Sequence, residues 1–204
     1  MPGATRNIDL SGELDHLSRS LVAYFAELRH IDIDKVLFTF SRSRRPGRGG
    51  LLARITPLRG EAGSRQLERQ RGRFLETWEY PQFTHEGREI LYLITLLMPR
   101  FLHLEPRERL ATLLHELWHI SPACDGDIRR YPGPRYAHGH RSQGYDAQVD
   151  ELTTRYLAES PELPALLTLS AEAWQQGDYR VNGLRIQRPR ARLVARRKAP
   201  RQTV

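Results

Sequence analysis

The run Ile90-Leu91-Tyr92-Leu93-Ile94-Thr95-Leu96-Leu97-Met98 carries no charge and stops at Pro99. It is the longest apolar run of the chain and far short of the roughly 20 residues that a membrane-crossing helix needs. A short, continuously apolar run reads as a strand buried on both faces, although the run alone leaves a buried helix open. Whatever this chain folds into must cover that segment. The elements around it are amphipathic. Residues 11–30 predict a helix with Ser11 as its cap and Leu14, Leu17, Leu21, Phe25 and Leu28 on one face. Val36–Phe40 and Leu51–Thr56 read as short strands. The intervening Arg42–Gly50 has turn chemistry and four arginines, so the pair predicts a hairpin with a cationic tip. Residues 61–87 give no clear period.

After Pro99 the pattern changes to helical spacing. Pro106 stands where a first helical residue belongs, and Glu105 and Glu108 lie near the positive end of the helix dipole. Leu110, Leu113, Leu114 and Leu117 form the buried stripe, and Ser121-Pro122 stops the helix. A long loop with Gly126, Pro132, Gly133, Pro134 and Gly139 follows; such loops inside a domain are usually functional. Helical spacing resumes from Tyr145 to Leu157, with a weaker helix between Leu163 and Trp174.

Inside the Pro106 helix stands His115-Glu116-Leu117-Trp118-His119, an HExxH sequence. Residues four apart differ by about 40° around a helix, so both imidazoles leave from one face and can grip one ion. Neutral imidazole nitrogen suits Zn²⁺. Glu116, rotated by about 100° from His115, can reach a water on the metal without being a ligand, which suits a general base and acid. Independent draws from this composition give about 0.02 such matches, so chance is a poor explanation.

A catalytic zinc needs a third protein ligand and an open position. The metzincin pattern fails, because Pro122 and Asp125 occupy its Gly and His positions and no Met follows Met98. The loop offers His138, His140, Asp125, Asp127 and Cys124, and the following helix offers Asp146, Asp150 and Glu151. Spacing alone leaves these open. Asp125 and Asp127 either orient a ligand imidazole or shape the turn at Gly126 and pair with Arg129 or Arg130. Tyr131, Tyr136, Tyr145 and His140 are candidate donors to a developing oxyanion. Cys124 reads as a small packed residue, and Trp118 as turned toward the core.

The run from His115 to Pro122, then Asp125-Gly126-Asp127 with Arg129-Arg130, His138-Gly139 and Tyr145-Asp146, resembles the phage metallopeptidases, minimal zincins similar to SprT-like proteases. The resemblance spans residues 36–157. It implies an α+β fold, a minimal zincin-like domain in which a short mixed sheet packs against the HExxH helix and flanking helices. In SprT-like proteins the third ligand is a His followed by Gly, which selects His138 over His140. The resemblance thus implies a zinc-dependent peptidase with His115, His119 and His138 on the metal and Glu116 as general base and acid. The expected organisation is one such domain over residues 1–179 and a basic, disordered tail over 180–204.

Charge supports that division. The chain has a formal net charge of +8, yet residues 180–204 hold nine Arg or Lys and no acid. The rest carries 23 basic against 24 acidic residues. The basic segment is therefore a candidate phosphate-contacting arm, and nucleic acid a candidate partner beside a protein or peptide substrate. A single cysteine excludes a disulfide framework and a multi-cysteine zinc module. No secretory leader pattern opens the sequence, so a reducing, cytoplasmic setting is expected. Two rival functions are a nucleic-acid-binding protein with a structural or inactive zinc site, and a protease dedicated to one repressor.

Overall fold

The computed structural model describes residues 5–43, 50–131, 142–159 and 164–199. In chain order the elements are β1 (Arg6–Asp9), α1 (Leu10–Tyr24), β2 (Val36–Arg42), β3 (Ala53–Pro57), β4 (Gln66–Arg71), β5 (Phe74–Glu79) and the short β6 (Thr84–His85) and β7 (Arg88–Glu89). There follow β8 (Tyr92–Met98), α2 (Pro106–Trp118), α3 (Ser142–Glu159), α4 (Ala165–Thr168), α5 (Ala171–Gln176), β9 (Tyr179–Asn182) and β10 (Arg192–Lys198). The fold is mixed α+β, with small sheets and, among the described residues, five α-helices. No helix among the described residues is long and apolar enough to cross a membrane.

The apolar run is β8, the centre of a three-stranded mixed sheet in the order β2-β8-β3. It runs parallel to β2, Val36 opposite Tyr92, and antiparallel to β3, Ile55 opposite Ile94. Its lack of alternation has a direct cause, since both faces are covered. Tyr92, Ile94, Leu96 and Met98 join Val36, Phe38 and Phe40 in the main core beside α1 and α2. Leu93 and Leu37 point the other way, into a smaller cluster with Leu58 and Ile90, closed by Phe83, Leu184 and Ile186. Between the strands Thr39 and Thr95 share a buried 2.9 Å hydrogen bond, which satisfies both hydroxyls away from water.

This arrangement corrects the expected hairpin. β2 and β3 do not pair with each other, because β8 lies between them and binds both. β8, apolar on both faces, gains most from two neighbours, whereas β3 carries the exposed Arg54 and the half-buried Ile55 and Pro57 and tolerates the sheet edge. The segment without a clear period is a strand pair, β4 with β5, in which Leu67 faces Trp78.

Helix α1 begins one residue earlier than expected, with Asp9 rather than Ser11 at the N-cap position, and the Asp9 side chain makes no capping bond. The Ser11 hydroxyl instead accepts the backbone N–H of Leu184 at 2.9 Å, while Phe40 donates to the Leu184 carbonyl at 3.1 Å. These two bonds fasten the chain after β9 to α1 and to β2. The weak helix expected over residues 163–174 is two short ones, α4 and α5, separated at Leu169-Ser170.

The expectation of a free basic tail is also corrected. β9 pairs parallel with β1, and β10 pairs antiparallel with β5 from Arg192 opposite Glu79 to Lys198 opposite Phe74. Arg196 explains part of that docking. Its guanidinium lies 4.0 Å from the Phe74 ring centroid and 3.5 Å from the buried Glu76 carboxylate. The charge surplus of this stretch is laid on the folded body.

Candidate active site

Helix α2 starts with a capping box: the Glu108 carboxylate accepts the Glu105 backbone N–H at 2.8 Å, and Glu105 reaches forward to the third-residue N–H. Leu110, Leu113, Leu114 and Leu117 are fully buried, as the stripe requires. Arg109 anchors the helix from inside the core. Its guanidinium donates to the carbonyls of Leu102 at 2.7 Å, Leu104 at 2.9 Å and Leu167 at 2.8 Å. Burial is the first cause pulling its pKa below the ordinary arginine value.

The HExxH residues occupy the last turn. α2 ends at Trp118, and His119 is its C-cap, still in the right-handed helical region at φ −68°, ψ −18°. The imidazoles of His115 and His119 thus stay one turn apart on one face, and their Nε2 atoms approach to 3.2 Å. Nitrogens about 2.0–2.1 Å from a tetrahedral zinc stand about 3.3 Å apart, so this pair is spaced to chelate one ion. In the metal-free protein the same separation accommodates an N–H···N hydrogen bond between the rings. The donor set, two imidazoles converging through Nε2, fits zinc in chemistry and in spacing.

Glu116 lies on the other flank of the turn, 6% exposed, against the edge strand β3. Burial pushes its carboxyl up to about 7, and a hydrogen bond from the Ile55 backbone N–H opposes that rise. A carboxyl near neutrality can both take and give a proton at neutral pH. Nothing in the sequence pointed to Ile55 as a partner; the contact exists because β3 occupies the sheet edge next to α2.

The segment after α2 doubles back on it. Ile120 bridges Ile128 antiparallel, the Arg129 N–H donates to the His119 carbonyl at 2.6 Å, and Arg129 Nε donates to the Trp118 carbonyl at 2.9 Å. Arg129 therefore places a cation on the negative end of α2 and lies 4.4 Å from the Trp118 ring centroid. Trp118 is turned to the core as expected, and its Nε1 donates to the Tyr131 hydroxyl at 3.0 Å. Tyr92 of β8 reaches under the turn, accepting the Gly126 N–H at 2.8 Å and donating to the Asp127 carbonyl at 2.9 Å.

Of the two readings of Asp125 and Asp127, the contacts are those of turn shaping. Asp125 accepts from the Ser121 hydroxyl at 2.6 Å and from the Asp127 N–H at 3.1 Å. Asp127 is buried and binds Arg130 through Nε at 2.7 Å and Nη2 at 3.0 Å. Cys124 is packed in the core, its sulfur accepting the Asp32 N–H at 3.3 Å, and burial pushes its thiol up.

Tyr136, His138 and His140 lie outside the described residues. Among the described residues no group of three His, Cys, Asp or Glu converges on one point. Of the acids on α3, Asp146 and Asp150 line the same cleft as His115 and Glu116, about 610 Å³ in volume and walled opposite by Leu51 and Leu52. Asp150 is engaged by Arg107 at 2.5 Å, and Glu151 is exposed. A second hollow of about 280 Å³ runs from the two histidines and Glu116 along Ala53, Arg54 and Pro57 of β3. No protein-family model, curated protein or solved structure matches the chain.

Proposed function

We propose that this chain is a zinc-dependent peptidase of minimal zincin architecture, related to the phage metallopeptidases and SprT-like proteases that its motif run resembles. The observation that carries the reading is the pair of Nε2 atoms 3.2 Å apart with the buried Glu116 carboxyl on the same helical turn, open to a cleft. His115 and His119 would hold the metal, with His138 as the third ligand that the family likeness selects. When bound, zinc supplies Lewis acidity to the scissile carbonyl and lowers the pKa of water. Glu116 takes the proton of the attacking water and delivers it to the leaving amine, a cycle that its raised pKa suits. The Ile55 N–H holds the carboxylate against β3. Arg129 and Tyr92 keep the last turn of α2 and the loop behind it in place.

Retention of a buried Glu116 favours catalysis over a structural zinc site, because a carboxyl in that position adds nothing to metal holding and is costly to bury. The test is metal content and proteolysis of Glu116→Gln beside His115→Ala, His119→Ala and His138→Ala. Expected is zinc retention with at least about a hundredfold loss of cleavage for Glu116→Gln, and loss of zinc for the histidine variants. Cleavage undiminished by Glu116→Gln, or zinc bound equally well without His115 and His119, would overturn the reading.

A further inference from the structure

Two clefts along β3 differ in chemistry and share two lining residues, Arg54 and Pro57. On one side Arg54 and Pro57 line the hollow that holds His115, Glu116 and His119. On the other side the same two residues line a cleft of about 520 Å³ between β3, the β4–β5 pair and the chain leading into β10. That second cleft contains Arg54, Arg69, Arg188 and Arg190, together with Trp78 and Tyr80, and no acidic residue lines it. All four arginines are exposed. In sequence these cations lie far apart, at positions 54, 69, 188 and 190; the fold gathers them at one place.

The chain that carries them is held on either side. Leu184 and Ile186 are packed into the smaller core cluster, and Leu184 is bonded to Ser11 and Phe40, so the chain reaches Arg188 and Arg190 from an anchored base. Beyond them β10 is held on β5, whose Trp78 forms part of the cleft. Arg54 is fixed by the pairing of β3 with β8 opposite Thr95. Arginine forks on such a frame lose less freedom on binding a carboxylate than the same residues on a loose arm would.

We infer that this arginine and aromatic cleft is a substrate subsite, which binds an acidic stretch of the polypeptide whose scissile bond lies at the His115–Glu116–His119 site. The inference rests on the peptidase reading and adds to it a substrate class. Guanidinium groups pair with Asp and Glu carboxylates through two parallel N–H donors, and four of them without a competing acid give a strong local preference for such residues. Trp78 and Tyr80 offer half-exposed rings for the aliphatic or aromatic side chains between the acids. An extended chain advances about 3.3 Å per residue, so a peptide lying along β3 would carry its acidic residues a short way along the chain from the bond to be cut. Nucleic acid would meet the same arginines, but nothing in its chemistry would lead it on past Arg54 into the histidine hollow. The shared wall of Arg54 and Pro57, with the histidine hollow directly beside it, favours the polypeptide.

Binding separates this inference from catalysis. The full chain carrying Glu116→Gln, loaded with zinc, is titrated into a fluorescein-labelled dodecapeptide with a Glu-rich centre, its Gln-rich counterpart, and an oligothymidylate of the same length. Expected is an affinity for the Glu peptide at least about tenfold above that for the Gln peptide, weakening as salt is raised. Arg188→Glu with Arg190→Glu, and separately Arg54→Gln on the other wall, should each cut that preference severalfold, with thermal melts confirming that the variants fold. Equal affinity for the two peptides, or a preference indifferent to both sets of substitutions, overturns the subsite. So does oligothymidylate binding tighter than the Glu peptide and lost with the same arginines, which would make the cleft a nucleic-acid site. If the unaltered protein cuts no peptide while the Glu preference holds, the peptidase reading fails and the acidic-peptide site stands.

Discussion

At the scale of single residues the decisive group is Glu116, whose burial leaves a measurable trace in stability. Its carboxyl sits near 7 in the folded protein against an ordinary value of 4.5. Between those values the folded state keeps a proton that the unfolded chain has released, so stability falls as pH rises through that window. The full loss above pH 7 is on the order of 3 kcal/mol, since each pKa unit corresponds to about 1.4 kcal/mol. Gln carries no such proton. Chelator-treated Glu116→Gln is therefore expected to be more stable than the unaltered protein at pH 8, with the difference closing toward pH 4. Urea unfolding at a series of pH values measures it, and a difference that stays flat across the series would contradict a buried, proton-holding carboxyl. The role proposed for Glu116 was legible in the sequence because the four-residue spacing of His115 and His119 is local geometry. Its hydrogen bond to Ile55 was not legible, for that partner comes from a strand far upstream whose place is set by β8. His138 and His140, outside the described residues, keep the standing of expectations.

Elements explain why the last turn of α2 holds its shape. The turn is closed by the 119–121 to 127–129 bridge, and that bridge rests on Tyr92, a fully buried residue of β8. Burial pushes the Tyr92 phenol up to about 12, so it remains a neutral donor and acceptor across the working pH range. Tyr92→Phe preserves the ring and leaves the Gly126 N–H and the Asp127 carbonyl without this partner. The expected cost is about 2–4 kcal/mol of stability. Zinc affinity should fall with it, because the loosened loop carries the Arg129 contacts to the carbonyls of Trp118 and His119. A loss under about 0.5 kcal/mol with unchanged zinc affinity would show that the loop holds itself. Elements with strong local signals, α1, α2 and β8, could be read in advance. Pairing could not: β2 and β3 follow one another in sequence across a turn-rich segment, which is the pattern of a hairpin, and only the need of β8 for two neighbours separates them. The short strand β1 was missed for a related reason. Arg6-Asn7-Ile8-Asp9 has one buried side chain, and it becomes a strand only because β9 returns from the far end of the chain to pair with it.

For the whole molecule, the question is what the basic C-terminal stretch contributes. Composition alone made it a detachable arm, since nine cations without an acid carry no hydrophobic period strong enough to announce a strand. The fold gives it two attachments, β9 on β1 and β10 on β5, with Leu184 and Ile186 sealing the second face of the central sheet between them. Ending the chain after Ala191 discriminates between an arm and a strand. It removes the ladder from Arg192 to Lys198, takes Arg196 away from the Phe74 ring and from the buried Glu76 carboxylate, and uncovers the edge of β5. A free arm would leave the melting temperature unchanged. A strand whose side chains are exposed throughout contributes moderately, so the truncated protein should lose about 2 kcal/mol, which for a domain of this size lowers Tm by roughly 4–8 °C. Calorimetry of the two lengths decides the matter, with circular dichroism confirming that α1 and α2 persist. Arg188 and Arg190 survive the cut while the strand that steadies them does not. Affinity for the Glu-rich peptide should therefore fall less than with Arg188→Glu and Arg190→Glu, provided that binding is measured well below the lowered Tm.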